Sequence, residues 1–228
     1  MNVLITSAAS PTGALLAAAL QSEYTVRCTD LRSRAGGDIE ACELEHDDAT
    51  DAIVSGIEAI VHVGYAGQDG DETALVDYHT RRTYNLLYAA AHAGVQRVIN
   101  ISTLRLYEPY EENLTVTENW RPMPTASEPQ LLACHLGEIV AKEFARDRLL
   151  RVLNLRLGFP FVEGDAAAHA GDQTAAITTA DVAHSVARAL HCELDYWQCA
   201  HVQSPVDGQR FLTQRATSMG LLGEEVSA

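Results

Sequence analysis

No apolar run in this chain approaches the ~20 residues that a bilayer span requires, and Met1 leads straight into an apolar stretch without a charged, signal-like segment before it. Membrane insertion and export are therefore not expected. The five cysteines, Cys28, Cys42, Cys134, Cys192 and Cys199, are odd in number and include no C-x-x-C pair. That spacing argues against a zinc ribbon and a disulfide framework, and a reducing cytoplasmic setting fits it best. Positive charge is also scarce, with 16 Lys and Arg against 31 Asp and Glu and a formal net charge of -15. Such a surface repels polyphosphate backbones, so nucleic acid is not an expected partner and any anion site has to be local. Repeats and low-complexity segments are missing too.

What is there is a chain of 228 residues, 47% of them hydrophobic, enough to fill a core on both faces of a sheet within one domain. Residues 2–20 read as a buried strand, a small-residue turn and an Ala/Leu-rich helix, with Thr6, Ser7, Ser10, Pro11, Thr12 and Gly13 in the turn. At the carboxyl end of a central strand, such a turn aims helix N–H groups and the positive dipole end at a phosphate. Residues 24–29 follow as a strand, closed by Asp30. An acid at that distance either accepts hydrogen bonds from the adenosine ribose hydroxyls, which favours NAD over NADP, or starts a turn. Arg32 and Arg34 weigh the other way, since either offers a 2′-phosphate a partner.

Further along, residues 40–45 read as a short third strand, and a short helix ends near Gly56. Residues 59–63 form the continuous apolar run of a buried parallel strand. The small-residue loop Gly64, Tyr65, Ala66 and Gly67 lets backbone approach a flat ligand, or is a plain connection. A long helix is predicted over 71–94, stopped by Gly94, and a strand over 97–101 that continues through 102–107 and turns the hydroxyls of Ser102 and Thr103 toward the ligand crevice. The segment 108–129 holds four of the seven prolines and cannot be one regular element. Then come a helix (128–148), a strand (149–157), a Thr/Asp-capped amphipathic helix (179–190), a last strand (197–203) and a terminal helix (211–222). The alternation predicts an α/β fold of three layers, α/β/α, around a doubly wound parallel sheet.

Taken in order, several stretches resemble the extended short-chain dehydrogenase/reductase family, in particular its NAD-dependent epimerase/dehydratase branch. Asp48, Ala49, Thr50 and Asp51 are similar to its Asp-Leu-Thr-Asp segment near the adenine, and Ile60 to Gly64, with Val63, to the strand whose end backs the cofactor. Residues 84–98 resemble its long helix and following strand, and Ile101, Ser102 and Thr103 through Tyr107 its Ser-Ser-x-x-x-Tyr signature. Leu155-Arg-Leu-Gly158 and Thr179-Ala-Asp-Val-Ala183 match later landmarks. The resemblance implies a Rossmann fold, a single NAD(P)-binding domain over 1–228, NAD as cofactor in preference to NADP, a small-molecule ligand, and a homodimer joined through helices 71–94 and 128–148. It assigns cofactor contacts to the turn residues 6, 7 and 10–13, to Asp30, Asp48, Ala49, Val63, Gly64 and Tyr65, and to Ile101 and Ser102.

The chain also departs from that family. Only the third glycine of the turn, Gly13, is kept; Ser7 and Ser10 stand at the other two positions. Ser10 followed by Pro11 also reads as an N-cap and N1 pair, so its hydroxyl either serves the helix or donates to a pyrophosphate. Thr103 matches the family's substrate-orienting hydroxyl. Counting back from Gly137-Glu138 puts Gln130 where the family has its acid/base Tyr and Cys134 where it has the Lys; a shift of one gives Leu131 and His135. Neither frame supplies the pair, and nearby Tyr107 matches a different family tyrosine, leaving Tyr107 or Tyr110 a remote alternative. Segments 159–178 and 204–228 are expected to be remnants of a reduced or absent substrate lobe. Cys192, Cys199, His184, His191 and His201 fit no standard closed metal site, and Glu111, Glu112 and Glu118 are expected on a solvated loop face. The resulting expectation is an NAD(H)-binding protein of impaired or altered catalysis. A non-enzymatic sensor of a dinucleotide or metabolite and an active oxidoreductase with atypical acid/base residues are the alternatives.

Overall fold

The computed structural model describes residues 1–64, 71–161, 175–206 and 208–223. Seven parallel strands run in the order β3-β2-β1-β4-β5-β6-β9, where β1 is Asn2–Ile5, β2 Thr25–Asp30, β3 Ile39–Ala41, β4 Ala59–His62, β5 Arg97–Thr103, β6 Arg151–Leu157 and β9 Trp197–Val202. Strand order reverses between β1 and β4, which opens a crevice at their carboxyl ends. Side chains alternate across the pleat, so Leu4, Ile60, Val98 and Val152 enter one apolar cluster and Val3, Ile5, Ala59, Val61, Ile99 and Leu153 the other. Helices α2 (Asp48–Val54), α4 (Thr83–Ala93) and α5 (Pro129–Arg146) cover the first; α1 (Pro11–Leu20), α6 (Thr179–Ala189) and α7 (Gln214–Ser218) cover the second. The three-layer fold and its doubly wound sheet are as the alternation predicts. None of the described helices is long and apolar enough to cross a membrane.

Several boundaries differ from expectation for identifiable reasons. The helix over 71–94 is α3 (Glu72–Asp77) and α4 joined through a π-helical turn, Tyr78–Arg82, and it ends at Gly94 in the left-handed conformation, φ 77°. The strand expected over 102–107 stops at Thr103 and becomes a 3-10 turn, Leu104–Tyr107. An extended chain would alternate those residues between two faces, whereas the turn lets Leu104, Leu106 and Tyr107 all bury. The third strand has only three residues, and the terminal helix contracts to Gln214–Ser218. The segment after β9 folds back onto the sheet, with Ala216 and Leu221 in its core and Phe211 bridging to Val116. β7 (Phe159–Phe161) and β8 (Ala176–Thr178) form a separate parallel pair, while 162–174 and 224–228, where the lobe remnants were also expected, lie outside the described residues.

Gly13 explains why the first helix approaches the first strand so closely. A Cβ added there would overlap the carbonyl oxygen of Ser7 and crowd the Ala8 backbone. Neither neighbour is the end of a flexible side chain, so the strain has no easy outlet. Gly13→Ala should therefore destabilise the fold by about 3 kcal/mol, read as a lowered urea midpoint with an unchanged m-value.

Candidate functional site

The turn between β1 and α1 is held from within. Ser7 has a left-handed backbone, φ 47°, and its hydroxyl donates to the Tyr78 phenol oxygen at 2.7 Å. Burial pushes the Tyr78 phenol up to about 12, so it stays neutral. Thr6 Oγ1 lies 2.9 Å from His62 Nδ1 and accepts from the Val63 N–H at 3.0 Å. His62 Nε2 lies 2.9 Å from Thr83 Oγ1, whose hydroxyl donates to the Tyr78 carbonyl at 2.8 Å, so the shorter of the competing threonine–carbonyl bonds favours the proton on Nε2. Burial, with the neighbouring His79, lowers the His62 pKa to about 3. The His79 ring lies between two glycines: a Cβ on Gly64 would come within 2.6 Å of its Cε1 and one on Gly137 within 3.1 Å of its Nδ1. Tyr78, His62 and His79 were missed from sequence, although polar residues in otherwise apolar stretches were a legible signal.

The turn can be tested as a phosphate cradle by following its amides. Ala8 N–H donates to the Thr29 carbonyl, Ala9 N–H to Asp30 Oδ2, Ser10 N–H to the Ser7 carbonyl and Gly13 N–H to Ser10 Oγ. Pro11 has none to give. Among the described residues two amides of this turn lack a protein acceptor, that of Ser7, which is wholly buried, and that of Thr12. Thr12 sits half-buried at the positive end of α1, beside exposed Ala9 and Pro11. These residues fit an anion through one amide and the helix dipole, and Ser10 caps the helix. Asp30 lies under the turn, closed from solvent; its two oxygens accept from Ala9 and Leu31, and Arg34 Nε is 3.9 Å away. It braces the cradle in this arrangement. Val63 and Gly64 follow β4 at the crevice, Asp48 and Ala49 open α2 at an exposed position behind the Asp47 cap, and Tyr65 lies outside the described residues.

Across the crevice, the α5 positions 130, 134, 138 and 142 follow one another at four-residue spacing along one side of the helix. Gln130 is exposed in its first turn. Cys134 Sγ is 3.4 Å from Ser102 Oγ, and burial together with the Glu138 charge pushes the thiol up to about 12. Thr103 is half-buried, and its hydroxyl accepts from the Arg105 N–H. Ser102 and Thr103 do not face the crevice together. Adjacent strand residues point to opposite faces, and Ser102, buried, donates instead to Glu138 Oε1 at 2.6 Å. Ile101, beside them on β5, is half-buried.

Beneath α5 lies a polar cluster that the sequence reading did not assemble. Glu138 takes Arg156 in a two-point ion pair, Nε to Oε1 at 2.8 Å and Nη2 to Oε2 at 2.7 Å, and also accepts from Asn154 Nδ2 at 2.8 Å. Asn100 donates to Asn154 Oδ1, and Arg156 also donates to the Tyr107 hydroxyl. Burial opposes ionisation of Glu138, but the bonds from Arg156 and Ser102, with His135 Nδ1 3.7 Å away, outweigh it and hold the acid far below the usual carboxylate range. Tyr107 is wholly buried, its phenol passed on to the Trp120 carbonyl and its pKa raised, chiefly by burial. Tyr110 donates to the Arg121 carbonyl. Burial closes Tyr107 off from any ligand, so the acid/base alternative does not fit it, while half-buried Tyr110 is tied to the backbone of the same segment. Glu118 is half-buried and faces the His201 N–H at 3.4 Å, unlike the exposed Glu111 and Glu112 with which it was grouped. Among the described residues no group of three metal-binding side chains converges.

The family model of the NAD dependent epimerase/dehydratase family matches residues 3–200, nearly all of the sheet and its helices. The chain belongs to that family. It is 24% identical over 173 residues to the L-arabinose 1-dehydrogenase (NAD(P)(+)) of Haloferax volcanii, a match covering 69% of this chain and 66% of that protein. It is also 24% identical over 168 residues to the uronate dehydrogenase of Pseudomonas syringae pv. tomato, covering 71% and 60%. The matches thus span less than two thirds of each curated relative. Among solved structures, a mutant of the uronate dehydrogenase of Agrobacterium tumefaciens complexed with NAD superposes with a TM-score of 0.82 at 18% identity, covering 98% of this chain and 84% of that chain.

Two outcomes follow from the buried groups. Arg156→Met leaves Glu138 an unpaired carboxylate in the interior, and a loss of about 3–5 kcal/mol is expected, read by urea denaturation at pH 7. His201 is fully enclosed between Tyr107 and Phe211, and burial, then the Arg156 charge, holds its pKa at about 3. His201 and His62 stay neutral in the fold while the unfolded chain protonates them near pH 6.5, so stability must fall as pH drops below that value. At pH 5 each costs about 2 kcal/mol. His201→Phe should halve the slope of urea midpoint against pH between 7 and 5.

Proposed function

We propose that the chain holds NAD(H) across the β1–β4 crevice and that it lacks the proton-moving pair its family uses, leaving it a cofactor-binding protein of impaired or altered catalysis. One observation carries the second half. Cys134, at the family's Lys position, is a neutral thiol engaged with Ser102, and it supplies neither a cation to lower a phenol pKa nor a base at neutral pH. Gln130, at the Tyr position, has no ionisable proton to exchange.

The cofactor half is supported by family membership, by the NAD complex of the superposed structure and by the retained form of the turn. NAD supplies hydride-accepting chemistry when bound. Thr12 N–H and the end of α1 would hold its pyrophosphate, Val63 and Gly64 would back it, and the Thr103 hydroxyl, at the carboxyl end of β5, would orient a small ligand. The Ser7–Tyr78 bond keeps the cradle in shape, and the Asp30 carboxylate fixes its far side. A ribose contact from Asp30, the basis for preferring NAD over NADP, requires its carboxylate to leave the Ala9 and Leu31 amides.

Titration with NADH and NADPH, followed by nucleotide fluorescence, tests the reading. Saturable NADH binding is expected, with NADPH weaker and with turnover of L-arabinose or glucuronate staying below about 1 s⁻¹, the low end of ordinary enzymes. Absence of binding by either nucleotide at millimolar concentration would sink the cofactor assignment. Turnover at ordinary rates would sink the impairment.

A further inference from the structure

A cavity of about 440 Å³ opens between α5, β6, β9 and the segment 118–122, reaching α5 through His135, Glu138, Ile139 and Lys142 but not through Gln130 or Cys134. We propose that this cavity is a binding site for a sugar-sized organic anion, a carboxylate or a phosphate, separate from the cofactor crevice and independent of the cofactor reading. Charge is the first argument. In a chain of net charge -15 with one lysine, that lysine and three arginines, Arg121, Arg156 and Arg215, all line this one cavity. Glu138 neutralises Arg156. Glu118, the other carboxylate in the wall, lies within 4 Å of none of the remaining cations, and no carboxylate among the described residues does. Arg215 donates one bond to the Cys199 carbonyl and Lys142 stands 5.9 Å over the Trp197 ring. Three cations thus face one unpaired carboxylate, a local excess opposite to that of the whole surface.

The walls give the second argument. Both tryptophans of the chain, Trp120 and Trp197, flank the opening, and Asn119 adds an amide. Flat apolar faces set among a few fixed polar groups suit a small organic ligand better than a bare inorganic ion, and the volume falls in the usual range for such pockets. The ion pair Glu138–Arg156 makes a rigid floor, which limits the ordering cost of binding.

Because both indoles flank the site, binding can be read in tryptophan fluorescence without any nucleotide present. The full chain would be titrated with glucuronate, glucose 6-phosphate and, as the neutral control, glucose. A saturable change is expected with at least one of the two anions and none with glucose, the stronger anion showing whether the site prefers carboxylate or phosphate. Lys142→Gln and Arg121→Gln alter exposed side chains and should leave the melting temperature unchanged while each weakens binding about tenfold. Equal responses to glucose and the anions, no saturable response to either anion, or unchanged affinity in both variants would overturn the proposal. Failure of NADH to bind in the separate nucleotide titration leaves it standing, so the two readings fail independently.

Discussion

Glu138 and Arg156 carry opposite charges in the interior, where either charge alone would be costly to bury, and much of the molecule is arranged to keep them together. The pair joins the middle of α5 to the carboxyl end of β6, and through Ser102, Asn154, Asn100 and Tyr107 it ties in β5 and the 3-10 turn. Such a pair contributes modestly to net stability, because desolvation offsets most of the attraction, yet its geometry is demanding. It fixes the axial position of α5 on the sheet. That position decides what Cys134 meets one turn above and where Lys142 emerges one turn below.

The crevice follows the same logic of internal satisfaction. A side chain seldom tolerates the left-handed conformation of such a turn, but here Ser7 adopts it and Tyr78 anchors its hydroxyl. The π-helical turn at Tyr78–Arg82 is what brings Tyr78 and His79 to the crevice floor, since the extra backbone residue per turn rotates these side chains inward. The cradle thus keeps its form by bonding to itself, and fewer of its amides remain to face an anion.

Family membership and the architecture were legible because they rest on periodicity and order: buried runs at β4 and β6, the small-residue turn closed by Gly13, and landmarks such as Leu155-Arg-Leu-Gly158 in sequence. Gln130 and Cys134 are the positions that counting back from Gly137-Glu138 gives for the family's pair, and their role belongs to the proposal rather than to the fold. Less legible was the direction of individual side chains. Ser102 was read toward the crevice when it points under α5, and Tyr107 was placed on a strand when a 3-10 turn buries it. Arg156, Asn100 and Asn154 interrupt apolar strands, a visible sign of a buried polar network, but Glu138, which bonds Asn154 and Arg156 directly and meets Asn100 only through Asn154, lies 16 residues or more away along the chain.

By itself the sequence determined the three-layer sheet, the family and the absence of a Tyr/Lys pair at positions 130 and 134, because each depends on local composition and spacing. Tertiary structure alone decided what those substitutions amount to. It set the thiol of Cys134 against Ser102, closed Asp30 beneath the turn, and gathered Arg121, Lys142, Arg156 and Arg215 around one cavity in an acidic protein. Those outcomes depend on burial and on partners distant in the chain, and electrostatic effects change by an order of magnitude with the local dielectric, which no linear pattern encodes.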